Sequence, residues 1–187
     1  VYNREVQDPE VTVTADGIET LSDKDMTITY LKEVTTGSSA GTYTEVDECK
    51  DAGNYKIRVT GKGNYSGSFD LSYTIQQRNL NEDAEDYRFA IEPISDQTYT
   101  GDAIIPEELK VFEYAYDASA PDDKSNENAV LGEDDYNVTG TNNIDVTSDI
   151  QKAELTIEGK GNYTGTLTTE FVILPKNIND KTDSVYD

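Results

Sequence analysis

Residues 58–75 read RVTGKGNYSGSFDLSYTI and residues 156–173 read TIEGKGNYTGTLTTEFVI, a match at an offset of 98. Agreement of this length lies beyond compositional chance, so whatever one half folds into, the other must fold into as well. The correspondence extends outward: residues 78–82 (RNLNE) return as 176–180 (KNIND), and Tyr2 and Pro9 return as Tyr99 and Pro106. In the middle, residues 21–30 (LSDKDMTITY) align with 131–140 (LGEDDYNVTG) at an offset of 110. The first copy therefore carries extra residues between Tyr30 and Asp51, and the second between Tyr116 and Leu131. This divides the chain into modules at residues 1–80 and 81–180, with 181–187 read as the start of a following unit or a tail, as in a segment of a longer protein.

Inside each copy the period is two. Ile57 and Val59 alternate with Lys56, Arg58 and Thr60, and after the glycine block Phe69, Leu71, Tyr73 and Ile75 alternate with polar residues. That is the pattern of a half-buried antiparallel hairpin, with Phe69 to Ile75 expected on its inner face. The second copy repeats it with Leu155 and Ile157, then Leu167, Thr169, Phe171 and Ile173. Further strands are expected over residues 10–15, 26–31, 89–94, 109–116 and 135–139, and no window carries a helical stripe. Short strands punctuated by Gly, Asn and Asp predict an all-β chain of two tandem immunoglobulin-like antiparallel β-sandwich modules.

Composition removes whole classes of function. The formal net charge is −23, which excludes a nucleic-acid partner because a phosphate backbone needs a basic footprint. Like-charge repulsion of this size favours a monomer. The chain has no His and no Trp, so histidine-based catalysis, His-ligated metals and indole stacking are all absent. Cys49 is the single cysteine; it forms no internal disulfide, and its acidic neighbours Asp47, Glu48 and Asp51 disfavour a thiolate, so it reads as a small filler. No apolar run reaches the ~20 residues of a membrane span, so direct membrane insertion is not expected.

The glycine block has a structural reading. Gly61, Gly63, Asn64 and Tyr65, with Gly159, Gly161, Asn162 and Tyr163, are expected to form one turn used twice, with positive φ at its glycines and at Asn64. A phosphate cradle would open a helix, and here a strand follows instead. The acidic clusters are Asp83, Glu85 and Asp86; Asp122, Asp123 and Glu127; and Glu133, Asp134 and Asp135. No cofactor is expected unless it is calcium, the hard cation such oxygens suit, and Glu133, Asp134 and Asp135 are the candidate ligands. Carboxylate pairs also serve glycosidases, but a small sandwich without Trp offers no sugar-stacking cleft, so no enzymatic activity is expected. Tyr114 and Tyr116 point to one face of a strand that leads into the second insertion. Core packing is the first reading of these rings; the other makes them, with Asp122 and Asp123, the candidate binding residues for a host glycan or protein. A lysine isopeptide crosslink is disfavoured because Lys56 and Lys152 lie on the polar phase of their strands.

Tyr99, Thr100, Gly101 and Pro106, then Asp135, Tyr136 and Val138, then GKGNYTGT at 159–166 with Phe171 and Ile173, give a pattern that resembles the immunoglobulin-like tandem repeats of bacterial surface proteins, chiefly Gram-positive adhesin-like ones. The resemblance spans nearly the whole chain, and the GKGNYxGx block is its most specific part. It implies an extracellular, cell-surface, multi-domain protein whose modules act as a non-enzymatic spacer or in adhesion. Glycan, host-protein or calcium binding, or an accessory role in a larger extracellular enzyme, are the alternatives.

Overall fold

A computed structural model describes residues 1–15, 19–81, 87–120, 122–125 and 127–177. Among these residues there is no helix; the chain is all-β, and its sheets are antiparallel apart from one short pair. It divides into two compact units, Val1–Arg78 and Asn79–Asp187.

Unit 1 holds a short hairpin, β1 (Thr14–Ala15) with β2 (Glu19–Thr20), and a sheet of β3 (Met26–Glu33), β4 (Tyr43–Val46), β5 (Gly53–Gly61) and β6 (Ser68–Ile75). The sheet order is β4-β3-β5-β6. Register follows the alternation: Ile57 faces Leu71, Val59 faces Phe69, and Ile28 and Tyr30 of β3 face Val59 and Ile57. Side chains directly opposite share a face of the sheet, so one face is mainly apolar, with Lys32 and Thr44 at its end. The core of the unit gathers Cys49, Tyr55 and Ile75, with Tyr2, Tyr30, Val46 and Tyr73 packed against them. Burying a side chain such as Ile75 contributes about 1.5–3 kcal/mol.

The expected inner face of β6 is only partly inside. Ile75 is buried and Tyr73 half-buried, but Phe69 is 47% and Leu71 40% exposed. Among the described residues β6 is the edge of its sheet, and no second strand covers that end of it. The expected strand over 10–15 shortens to β1.

In unit 2, β8 (Tyr87–Ile91), β10 (Val111–Ala115) and β11 (Glu127–Val130) form one sheet in the order β11-β10-β8. β12 (Tyr136–Thr141), β13 (Ala153–Gly159) and β15 (Thr166–Phe171) form another. Of the remaining short strands, β7 (Arg78–Asn79) falls on the unit boundary, β9 (Gln97–Thr98) pairs in parallel with β16 (Ile173–Leu174), and β14 is Tyr163–Thr164. Leu155, Ile157 and Ile173 are fully buried. Phe89 of β8 meets Tyr163 of β14 edge-on with ring centroids 5.8 Å apart, and β8 also lies against β15, which brings the two sheets into contact. Both insertions contribute strands rather than plain loops: β4 pairs with β3, and β11 pairs with β10.

The glycine blocks adopt matching geometry. Gly61 donates to the Gly67 carbonyl (3.0 Å) and Gly159 to that of Gly165 (2.9 Å); Tyr65 donates to Lys62 and Tyr163 to Lys160, each at 3.1 Å. Positive φ occurs at Gly63 (63°) and Gly67 (88°), and at Gly161 (64°) and Gly165 (81°), but not at Asn64 or Gly61. A positive φ at the first central position alone gives a type II′ turn, one of the hairpin turns that match strand twist. Gly61 and Gly159 are required for a different reason: a Cβ would lie 2.9 Å from Ser66 N and 2.8 Å from Thr164 N, respectively. These are backbone atoms and cannot swing aside. Gly61→Ala is expected to cost about 1–3 kcal/mol in urea unfolding. At the exposed Gly132, a Cβ would meet only Asp135 Oδ2 at 3.8 Å, and Gly132→Ala should stay within about 0.5 kcal/mol of the parent.

Candidate functional site

β10 sends Val111, Glu113 and Ala115 to one face of its sheet and Phe112 and Tyr114 to the other, with Tyr116 just beyond the strand end. Cross-strand register places Ala90 and Val130 opposite Phe112, and Arg88 opposite Tyr114. Ala90, Phe112 and Tyr114 form a buried cluster, and Tyr116 packs partly buried against it. Cations lie over the rings: Lys110 Nζ is 5.3 Å from the Phe112 centroid, Lys124 Nζ 5.9 Å from that of Tyr114, and the Arg88 guanidinium carbon 3.8 Å from that of Tyr116. Such contacts contribute ~0.5–1 kcal/mol each where exposed. Lys110 also donates to Glu127 (2.7 Å) and pairs with Glu92 (3.2 Å), which raises its pKa above the ordinary lysine value, Glu127 contributing most.

The two candidate tyrosines are thus brought together, but not as an open platform. Tyr114 is only 5% exposed, because its own sheet neighbours and Lys124 lie on it. A ring covered in this way has no free face for a sugar. Asp122 is exposed, while Asp123 accepts the Ser125 N–H at 2.8 Å. In the same loop Asp117 accepts both the N–H and the hydroxyl of Ser119. Hydrogen bonding from the serines holds both carboxyls below the ordinary aspartate value. These are the short-range bonds of polar turns.

The proposed calcium ligands separate in the same way. Asp135 Oδ2 accepts the Gly132 N–H at 2.9 Å, and the Asp135 carbonyl accepts the Lys160 N–H at 2.8 Å. Asp25 in unit 1 does the same with Ser22 (3.0 Å) and Lys62 (2.6 Å). Asp135 closes a turn and docks the glycine block against it, and Glu133 and Asp134 are exposed beside it. Among the described residues no three Asp, Glu or Cys side chains converge as metal ligands. Asp83, Glu85 and Asp86 lie outside the described residues, as does the segment 181–187.

Three features have no clear signature in the sequence. Glu113 is 3% exposed on the inner phase of β10, where Asn128 Nδ2 lies 3.4 Å from it. No lysine is buried among the described residues, so this carboxyl has no buried amine to react with. Residues 140–151 line an open groove of about 580 Å³. Its loop is pinned where Ile104 and Asn143 exchange two hydrogen bonds (2.8 and 3.0 Å) and where Thr147 exchanges two with Ile173. Between those pins Ile144 (47%) and Val146 (49%) are exposed, and Ile150 (99%) is exposed just beyond the second. The third feature is the environment of Cys49, which is fully buried; its N–H donates to Asp8 Oδ1 (2.7 Å) and its carbonyl accepts from Gln7 (2.7 Å). Burial, and then Asp8 rather than the sequence neighbours, pushes the thiol up to about 11. Tyr55 beside it is pushed up to about 12, mainly by burial, and donates to the Asp51 carbonyl at 2.7 Å.

No protein-family profile matches the chain, and comparison with curated proteins and with solved structures returns no match.

The Cys49 and Tyr55 shifts set an alkaline limit on unit 1. Free of the fold the groups ionise near 9.0 and 10.0, so both favour the folded state fully below pH 9. Their contribution is lost as pH rises through the folded values. Tyr55→Phe should cost about 1 kcal/mol at neutral pH through the lost hydrogen bond and flatten the fall in stability above pH 10, as read from urea midpoints against pH. Alkylation of Cys49 by iodoacetamide should be slow in the folded chain and become fast in denaturant.

Proposed function

We propose that the chain is a pair of tandem immunoglobulin-like β-sandwich modules, serving as a non-enzymatic spacer in a bacterial cell-surface protein. The observation that carries this reading is where the shared residues go. The blocks common to both halves, GKGNYxG and the Asp25 and Asp135 turns, are spent on internal hydrogen bonds that connect strands. A binding or catalytic repeat would leave its shared polar groups open to a ligand; a structural repeat consumes them. Charge supports the same role. At −23 the modules repel one another and their surroundings, with a range of ~8 Å at physiological ionic strength, which keeps a stalk soluble.

Adhesion is the second reading, and the groove lined by residues 142–148 favours it, because Ile144 and Val146 stand exposed between the pins at Asn143 and Thr147. The two readings separate in one experiment. The purified chain is applied to arrays of glycans, mucins and matrix proteins, with and without millimolar calcium. The spacer reading expects no reproducible binding and a thermal midpoint unmoved by calcium or chelator. Removal of residues 118–125, which lie between β10 and β11, should also leave the midpoint nearly unchanged. A reproducible signal lost in Ile144→Ser would replace the spacer with an adhesive module.

A further inference from the structure

The two units differ in one place where their sequences correspond. In unit 2, β10 has β11 on one side and β8 on the other, and β8 also lies against β15. Strand β8 thereby fills the gap between the two sheets. Its Phe89 covers Tyr163, which is 2% exposed, and the inward residues of β15 are sheltered: Leu167 and Thr169 are half-buried and Phe171 is buried.

The unit 1 counterparts of β10 and β15 are β1 and β6. Leu21 donates to the Val13 carbonyl as Leu131 donates to that of Val111, and residues 68–75 align with 166–173. Among the described residues β1 pairs only with β2 and β6 only with β5, so no described strand stands where β8 stands in unit 2. The inward side chains of β6 are correspondingly open, with Phe69 at 47% and Leu71 at 40%. They face the buried Val59 and Ile57 across the register, so the gap has an apolar floor. Tyr65, counterpart of the buried Tyr163, is half-buried. The turn itself agrees. In unit 2 Leu80 donates to the Thr164 carbonyl (2.8 Å) and Tyr163–Thr164 is a strand, whereas the counterpart residues 65–66 of unit 1 are not.

We propose that the gap between β1 and β6 of unit 1 is an acceptor slot for one further β-strand, antiparallel to β1, with aromatic or apolar side chains at alternate positions. Tyr87, Phe89 and Ile91 are the template for those positions. As β8 pairs with β10 and packs against β15 in unit 2, so in unit 1 the β1 edge without a partner among the described residues supplies backbone bonds, and the apolar side of β6 supplies pockets for alternate residues. The occupant is a strand continuous with the amino side of Val1. In unit 2 the filling strand ends at Ile91, a short connection ahead of Tyr99, whose N–H donates to Leu174. Tyr2 makes the matching bond to Gln76 in unit 1, so a strand leaving the slot arrives beside Val1. Covalent continuity also removes the translational cost that a strand from another molecule would carry. The inference stands on these counterpart bonds and not on the spacer role, and it survives if the chain binds a ligand.

The test fuses a copy of residues 87–97 ahead of Val1 in the full chain. Amide hydrogen exchange across β6 is compared among the parent, the fusion and a fusion of scrambled order. The fusion should slow exchange at residues 68–73 by about tenfold or more and raise the thermal midpoint of unit 1, while the scrambled fusion leaves both at parent values. Phe69→Asp in the fused chain should cancel the protection without altering exchange at residues 28–30 of β3, which shows that unit 1 of the variant still folds. Equal β6 exchange in fusion and parent overturns the proposal. So does a concentration-dependent dimer of the parent protected at β6, since a second copy would then hold the edge.

Discussion

At Gly61 and again at Gly159 the chain passes so close to its own returning backbone that no side chain fits. Most of each unit follows from that approach. The tight return fixes β5 against β6 and β13 against β15, and because the side-chain period of a strand is two, a slip of one residue would turn every inward residue outward. Register then sets Ile57 beside Leu71 and Leu155 beside Thr169, and these pairs define which face of each sheet is apolar. The same glycine block is held from the other side by a backbone bond from Lys62 to Asp25, or from Lys160 to Asp135, so one contact orients three successive strands.

Outside that frame the units manage their surfaces differently. In unit 1 the outward face of the sheet is polar and cross-linked: Arg58 faces Asp70 and bonds it at 2.8 Å, and Asn54 donates to Glu33 and accepts from Thr74. Such pairs are exposed, and they give pairing specificity more than stability. In unit 2 the outward face of β10 is apolar, and Ala90, Phe112 and Tyr114 form a second small core under Lys110, Arg88 and Lys124. The long cationic side chains do what a further layer would do, covering the rings, and the Lys110 ammonium meets Glu92 and Glu127.

Much of this was legible in the residues. The alternation in 57–59 and 69–75 foretold strands, the repeated block foretold one turn used twice, and the acidic composition ruled out a basic binding surface, because each depends on neighbours in sequence. What the residues left open shares a cause. The insertions carried no clear alternation, yet Tyr43–Val46 and Glu127–Val130 became strands because β3 and β10 offered edges to pair with. The alternation at Tyr114 fitted a core position as well as an exposed patch, and it is buried because Arg88, Ala90 and Lys124 converge on it from elsewhere in the chain. Asp135 looked like a cation ligand within its acidic run, and only the Gly132 N–H and its likeness to Asp25 mark it as a turn closer.

By itself, then, the order of residues determined the strand-forming segments, the shared turn and the absence of histidine chemistry, all of them local or compositional properties. Tertiary structure decided which apolar faces are covered. Phe69 and Leu71 have the same inward phase as Leu167 and Thr169, but burial is a property of what lies opposite, and β8 lies beside β15 while no described strand lies beside β6 on that side. Alternation tells a side chain which way to point. Only the packing of a second layer decides whether anything is there to meet it.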